Sequence, residues 1–182
     1  MRIIAGEYRG RIIKFPKSKL VRPTTDKSKE TLFNMLKKYI LFEGIRVCDI
    51  YAGSGSLGLE ALSRGATDVD FVENDFKVQK ILSENIDSLN ASKYCKIFKM
   101  EALRFFKLAE HLEYDLIIAD PPYFKSDIHE AFKLIFENNF ISENGVLIIE
   151  RSIKTADIDE QIFGQKAAKR LGDSLIYIFT ND

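Results

Sequence analysis

The sequence predicts an α/β fold built on a doubly wound, mostly parallel sheet of seven strands. Three observations support this prediction. Short β-rich runs alternate with helical segments from residue 45 onward, which is typical of parallel strands with helices on both faces. A glycine-rich turn directly follows the first run and opens a helix. The last two runs, 165–171 and 174–180, are joined by Gly172-Asp173, so an antiparallel hairpin should close the sheet.

The elements follow in a regular order. Residues 1–22 form a predicted hairpin or extended arm, with Gly6 and Gly10 at its turns, and Thr25 or Asp26 should cap the first helix. The hydrophobic spacing predicts helices near 27–40, 57–64, 76–90, 102–111 and 127–138, and strands at 45–50, 68–73, 95–99, 114–119 and 145–149. We therefore divide the chain into a basic N-terminal extension, 1–40, and a cofactor-binding domain, 41–182.

Charge is distributed unevenly over the 182 residues. The chain has no net charge, yet residues 1–38 hold eleven basic and three acidic residues, a net charge of +8, which leaves −8 for the remainder. Such asymmetry indicates that the N-terminal segment meets a polyanion, and the interleaved apolar residues favour an ordered hairpin. The residues expected to contact this polyanion are Arg9, Arg11, Lys14, Arg22, Thr24 and Lys27. Since no signal peptide or transmembrane run is apparent, we expect a cytoplasmic protein, a monomer without membrane contact and without a metal.

The glycine-rich turn is the first candidate site. Gly53-Ser54-Gly55-Ser56-Leu57-Gly58 matches G-x-G-x-x-G, and Glu73 lies twenty positions after Gly53, at the end of the next predicted strand. A tight turn lets a ligand approach the backbone closely, and an acid further on can bind ribose hydroxyl groups. Any nucleoside cofactor shares these requirements.

Asp49, just before the turn, favours one of those cofactors. A carboxylate there would oppose a pyrophosphate at the helix N-terminus, whereas it suits the cationic methionine end of S-adenosylmethionine. We expect Glu73 to hold the ribose and Glu101-Ala102, after the third strand, to lie near the adenine edge. The candidate cofactor-binding residues are Asp49, Tyr51, Ala52, Gly53, Gly55, Gly58, Glu73, Asn74, Glu101 and Ala102.

The tetrapeptide Asp120-Pro121-Pro122-Tyr123 is the candidate catalytic motif. It follows the fourth predicted strand, which should lie beside the first, so it falls at the sheet edge where open α/β folds bind ligands. An exocyclic amino group of a base is a poor nucleophile because its lone pair is delocalised. Acceptors at Asp120 and the Pro121 carbonyl would favour the charge that develops on that nitrogen, and Tyr123 could stack on the base.

Taken together, these motifs resemble the RsmD family, bacterial enzymes that methylate guanine N2 in 16S ribosomal RNA. The resemblance covers nearly the whole chain. Its most specific parts are the N-terminal runs and the stretch Glu60-Ala61-Leu62-Ser63-Arg64-Gly65-Ala66. It implies a Rossmann-like class I methyltransferase, S-adenosylmethionine as the cofactor, and 16S ribosomal RNA or the assembled small subunit as the partner. Tyr51 stands where the family usually has phenylalanine, and Glu101 where aspartate is common.

Three alternatives are compatible with parts of the sequence. An adenine-N6 methyltransferase acting on DNA or RNA could use the same tetrapeptide. A nicotinamide-dependent oxidoreductase fits the glycine loop but leaves Asp49 and the tetrapeptide unexplained. A non-catalytic RNA-binding factor for ribosome assembly fits the basic arm but needs no such site.

Overall fold

Seven strands form one mixed sheet in the computed structural model, which describes residues 1–16, 25–108, 110–122 and 127–181. The spatial order is β3-β2-β1-β4-β5-β7-β6, in which β1 to β5 are parallel and β7 runs antiparallel to both of its neighbours. The predicted fold class, including its C-terminal hairpin, is confirmed. The strands are β1 Arg46–Ile50, β2 Asp68–Val72, β3 Cys95–Phe98, β4 Tyr114–Ala119, β5 Ile141–Ser152, β6 Lys169–Leu171 and β7 Ser174–Thr180.

Six α-helices accompany the sheet in the described ranges. They are α1 Asp26–Leu36, α2 Ser56–Ser63, α3 Phe76–Ser88, α4 Ala102–Phe105, α5 Asp127–Glu137 and α6 Ala156–Phe163. Thr25 is the N-cap of α1, where its side chain accepts a hydrogen bond from the Ser28 amide at 3.1 Å. None of the helices in these ranges is long and apolar enough to cross a membrane.

Several predicted boundaries were wrong. Helix α1 ends at Leu36 rather than near 40, α4 is one turn instead of the span 102–111, and β6 covers only the last three residues of 165–171. Strand β5 begins four residues before its predicted start, because Ile141 pairs with Tyr114 ahead of a register shift. Helix α6 was not predicted, since it has only eight residues and follows β5 after a single short turn; Gly164, at φ 71°, ends it.

The sheet separates two hydrophobic clusters. Alternate residues of β4 belong to different clusters: Leu116 and Ile118 pack on one face, and Ile117 and Ala119 on the other. The first face is covered by α1, α2, α3 and the N-terminal arm, and the second by α4, α5 and α6. This alternation, required by the strand geometry, determines which face each strand-end residue approaches.

The N-terminal arm folds back on itself and packs onto α2. Arg2 and Ile12 form a single antiparallel bridge, while Ile3 and Ile13 are buried in the first cluster. Gly6 adopts φ 80°, and a β-carbon there would lie 1.5 Å from the Ser63 carbonyl oxygen, so only glycine permits this approach. The predicted hairpin is thus present over residues 1–13, and its remaining part, 17–22, lies outside the described residues.

A buried ion cluster fastens the arm to α2. Glu60 accepts the backbone amides of Ile4 and Ala5 at 2.8 and 3.1 Å and pairs with Lys29 at 3.2 Å and Arg64 at 2.9 Å. The Lys29 ammonium also donates to the Arg2 carbonyl at 2.7 Å. Burial lowers the pKa of Lys29, and the Glu60 carboxylate opposes that shift. The division of the chain at residue 40 stays a prediction.

Candidate active site

Four acidic residues meet at the carboxyl edge of the sheet. Asp49 is the penultimate residue of β1, Glu73 follows β2, Asp120 follows β4, and Glu150 lies near the end of β5. The order β2-β1-β4-β5 makes these strands consecutive neighbours. Parallel strands deliver their carboxyl ends to one edge, so the topology assembles a cleft from distant parts of the sequence.

The glycine loop between β1 and α2 has an unusual backbone. Tyr51, Gly53 and Gly55 have φ values of 60°, 57° and 79°, the left-handed region that glycine adopts most readily. A β-carbon on Gly55 would lie 2.4 Å from Leu82, and one on Gly58 2.4 Å from Phe71, so these glycines allow close packing of the loop on the protein itself.

Gly53 differs from the other two glycines. A β-carbon there would meet only the Tyr51 carbonyl oxygen, at 3.9 Å. Its open side therefore leaves room for a ligand against the backbone.

The Asp49 carboxyl group is buried beneath this loop. It accepts the Gly58 amide at 2.8 Å, near the start of α2. Burial raises the pKa of Asp49 to about 8, the Gly58 hydrogen bond opposes the shift, and the Glu73 carboxylate adds to it. A cation reaching this carboxyl group would favour its ionised form.

Glu73 joins the loop after β1 to the loop after β2. One oxygen accepts the Gly53 amide at 2.9 Å and the other accepts the Asp75 amide at 2.8 Å. The residue remains half-buried, with Asn74 exposed beside it. Because a carboxylate offers about four acceptor positions, two remain for ligand hydroxyl groups.

The other candidate residues lie on neighbouring elements. Tyr51 is half-buried and Ala52 buried within the loop itself, while Ala102 is buried at the start of α4 and Glu101 is exposed just before it. Glu101 occupies the N-cap position of α4 without forming a capping hydrogen bond. It follows β3, at the edge of the cleft beyond β2, and its adenine-edge role stays a prediction.

Asp120 stands between the glycine loop and the end of β5. Burial raises its pKa well above the ordinary value, and the Glu150 and Asp49 carboxylates raise it further. Within the described part of the chain, no hydrogen bond to its carboxyl group is present. Pro121 is buried and Pro122 exposed, whereas Tyr123 lies outside the described residues.

Two contacts beyond the predicted residues support this edge. Burial raises the pKa of the Tyr51 phenol, and the Asp127 carboxylate at the start of α5 raises it further. Behind the end of β5, the buried Asp159 carboxylate accepts Arg151 Nε at 3.0 Å and is hydrogen-bonded to His129 Nε2 at 2.6 Å. This group links α5, β5 and α6, and the sequence patterns gave no sign of it because its members are far apart in the chain.

Asn85 was also missed, although it connects the arm with the glycine loop. Its Nδ2 donates to the carbonyl oxygens of Ser54 and Lys14, both at 2.9 Å, and its Oδ1 accepts the Lys14 amide at 2.7 Å. Asn85 is buried in α3. A helix-internal asparagine on the buried face is the one signal that could have indicated such a role.

The candidate RNA contacts fall into two groups. Arg9 and Lys27 are exposed. Lys14 Nζ pairs with Glu84 at 2.6 Å, and the Arg11 guanidinium donates to the Ser88 carbonyl. Arg22 and Thr24 lie outside the described residues.

Comparisons with known proteins agree over nearly the whole chain. A family model described as "Conserved hypothetical protein 95" matches residues 1–180. The ribosomal RNA small subunit methyltransferase D of Haemophilus influenzae is 39% identical over 82% of this chain and 78% of its own, and that of Escherichia coli is 33% identical over 85% and 76%. The solved structure of the Escherichia coli protein yhhF superposes with a TM-score of 0.83 at 26% identity, covering 100% of this chain and 98% of that one.

The family model matches residues 1–180, and these relatives are more than 30% identical to the chain. The solved structure shares the fold of this chain, whose sheet ends in a hairpin. These findings agree with the motifs at the cleft. The chain belongs to the RsmD family and has the class I methyltransferase fold.

Proposed function

We propose that this protein transfers a methyl group from S-adenosylmethionine to the exocyclic N2 amino group of a guanine in 16S ribosomal RNA of the small subunit. The observation that carries the proposal is the position of Asp120. Its carboxyl group lies at the end of β4, beside the β1 loop, and the Asp49 carboxylate at the end of β1 is close enough to raise its pKa. A base presented there would meet a strong acceptor next to the methyl donor.

The residues of the cleft fit S-adenosylmethionine. The open side of Gly53, the spare acceptor positions of Glu73 and the buried Asp49 carboxyl match a nucleoside with a cationic amino-acid end. When bound, this cofactor supplies an electrophilic methyl group on a sulfonium centre. We assign Asp49, Glu73 and the loop 51–58 to holding it, and Glu101-Ala102 to its adenine edge.

The part played by Asp120 follows from the electronic structure of the amino group. The guanine N2 lone pair is delocalised into the ring, so attack on a methyl group requires it to localise on nitrogen. As the N–C bond forms and the S–C bond breaks, positive charge appears on N2 and one proton must leave it. Asp120 and the Pro121 carbonyl favour that charge by accepting the N2–H bonds.

Two findings support ribosomal RNA as the substrate. The relatives at 33–39% identity are named ribosomal RNA small subunit methyltransferase D. The first 38 residues of this chain carry the net charge of +8 expected of a surface that meets phosphates. Contacts of this kind position RNA without reading its bases.

Methyl transfer from labelled S-adenosylmethionine to purified small subunits, followed by nucleoside analysis, tests the proposal. We expect N2-methylguanosine as the labelled product. N6-methyladenosine would instead establish the adenine enzyme, and RNA binding without transfer would establish an assembly factor. Subunits already saturated by the protein with unlabelled cofactor are the control, since they should accept no further label.

A further inference from the structure

Glu150 has no role in the reaction described so far, yet it is the structural neighbour of Asp120. In the parallel pairing of β4 with β5, Ala119 lies opposite Ile149. Asp120 and Glu150 are the next residues on their chains, and neighbouring strands lie about 4.8 Å apart. The two acids therefore stand side by side where β4 ends.

The alternation of the strands places both side chains on one face of the sheet. Ile118 and Ile148 are the residues two positions earlier, and both belong to the hydrophobic cluster on the arm side of the sheet. Asp120 and Glu150 share that face with Asp49, since Val47, two positions before it, packs in the same cluster. After burial, the Glu150 carboxylate is the largest cause of the raised pKa of Asp120, ahead of Asp49.

Guanine and adenine differ at the position next to their amino groups. On the Watson–Crick edge of guanine, the N2 amino group neighbours N1–H, so two adjacent donors face outward. On adenine, the N6 amino group neighbours N1 with a lone pair, so a donor stands beside an acceptor. Enzymes that act on an extruded base read this edge by hydrogen bonds. When both are ionised, two adjacent carboxylates match two adjacent donors and repel the N1 lone pair of adenine.

We infer that Glu150 is the residue that selects guanine, accepting the N1–H of the base while Asp120 accepts its N2–H. This inference rests on the proposed guanine-N2 activity. Glu150 also makes a contact within the protein, but a carboxylate has about four acceptor positions, which leaves some for the base. The preference for guanine over adenine should be large, because the wrong base would leave a buried polar group of the site unpaired.

The test compares guanine with 2,6-diaminopurine at the methylated position. Diaminopurine keeps the N2 amino group but has a lone pair at N1, so the contact assigned to Glu150 changes while the reacting amino group does not. The wild-type product first locates the target nucleotide, and small subunits are then reconstituted with either base at that site. Single-turnover rates on both substrates are measured for the wild type, Glu150→Gln, Glu150→Asp and the control Glu143→Gln, an exposed position on the same strand.

We expect the wild type to prefer guanine by about a hundredfold or more. Glu150→Gln should lose roughly ten- to a hundredfold on guanine and narrow the guanine-to-diaminopurine ratio by at least about tenfold, because its amide can donate to N1. Glu150→Asp keeps the charge, so it should keep the preference at a reduced rate. Glu143→Gln should match the wild type in both rates.

The outcomes separate this inference from the function on which it rests. If the wild type yields no N2-methylguanosine, the proposed function fails and the inference fails with it. If it does, and a folded Glu150→Gln lowers both rates by the same factor, Glu150 only supports the structure and the inference alone is overturned. Should Glu150→Gln not fold, Glu150→Ala replaces it, and an unchanged guanine-to-diaminopurine ratio in that variant overturns the inference equally.

Discussion

The two halves of the cleft hold their carboxyl groups in opposite ways. On the side that we assign to the cofactor, Asp49 accepts the Gly58 amide, and Glu73 accepts the amides of Gly53 and Asp75. On the side that we assign to the base, Asp120 accepts no hydrogen bond from the described part of the chain. Its pKa is raised by burial and then by two described carboxylates, Glu150 and Asp49, whose charges have the same sign as its own. Backbone donors hold the carboxylates of the first half, whereas the Asp120 carboxyl group has no donor within the described ranges of the chain.

This difference indicates how the site divides its work. Backbone donors fix the shape of the cofactor half before any ligand arrives, which keeps the cost of binding low. A carboxyl group whose pKa is raised by burial and by like charges gains most from donors on a bound base, and from the positive charge that appears on the reacting nitrogen. Substitutions in the two halves should therefore affect different measurements.

The largest effect is expected for Asp120→Asn. The neutral amide can turn its NH₂ group toward the incoming N–H, so the single-turnover rate of methyl transfer to small subunits should fall about a hundred- to a thousandfold. Affinity for S-adenosylhomocysteine should barely change, since Asp120 is assigned to the base. Asp157→Asn, at an exposed position of α6, is the matched control. If a folded Asp120→Asn protein transfers methyl groups within about threefold of the wild-type rate, the role assigned to Asp120 is wrong.

Glu73→Ala should act on the other half. Charge-assisted hydrogen bonds are worth about 1.5–3 kcal/mol each, so the variant should bind S-adenosylhomocysteine roughly ten- to a hundredfold more weakly in a calorimetric titration. The Gly53 and Asp75 amides also lose their acceptor, so the loops they belong to should loosen. Glu113→Ala, exposed before β4, should bind normally. Wild-type affinity in Glu73→Ala would remove Glu73 from the cofactor site.

We expect Asp49 to make cofactor affinity depend on pH. Because its pKa in the free protein is about 8, a cationic ligand must displace a proton at neutral pH. Affinity for S-adenosylhomocysteine should rise by about tenfold between roughly pH 6.5 and 8.5 and then level off. Asp49→Asn should bind weakly and without this slope. A wild-type slope preserved in Asp49→Asn would assign the proton to another group.

A rise in pH should strengthen cofactor binding through Asp49, but through the same carboxyl group it should lower the stability of the free protein. Its folded pKa exceeds the ordinary unfolded value of about 4, so its stabilising contribution is complete below that pH and is lost as the pH rises through about 8. Asp49→Asn should remove this loss, since an amide oxygen can still accept the Gly58 amide. Melting temperatures of the free proteins should therefore diverge in favour of the variant toward about pH 8.5.

The sequence predicted those structural features that depend on a few adjacent residues, and it missed others. The strand–helix alternation and the Gly172-Asp173 turn predicted the sheet and its hairpin because each strand and turn is encoded by a few adjacent residues. Helix α6 was not predicted because its eight residues are too few for a clear helical pattern. The start of β5 was not predicted because the polar run Ser142-Glu143-Asn144 is not typical of a strand, although Ile141 before it pairs with Tyr114.

The same limit applied to the site. Asp49, Glu73 and Asp120 could be selected from motifs that follow apolar runs. Glu150 also follows such a run, Ile148-Ile149, but its meaning comes from lying beside Asp120, thirty positions earlier in the chain. Asn85 contacts Lys14 across 71 positions, and Lys29 contacts Glu60 across 31. No pattern in one sequence encodes such pairings.

The smallest expected effect concerns the arm, which should leave both halves of the cleft unaltered. Arg9 is exposed, whereas the Arg11 guanidinium already donates to the Ser88 carbonyl. If the arm binds phosphates, each phosphate that it no longer neutralises should flatten the dependence of log K on log salt by about 0.7–0.9. Arg9→Ala should therefore lower that slope for small-subunit RNA by about this amount, with S-adenosylhomocysteine affinity unchanged.

Arg11→Ala distinguishes two roles of Arg11. A further flattening of the slope means that Arg11 leaves Ser88 to bind RNA, while a lower melting temperature with the slope intact means that it holds the arm against α3. An unchanged slope in both variants and in the double variant would show that the positive charge at these positions serves something other than RNA.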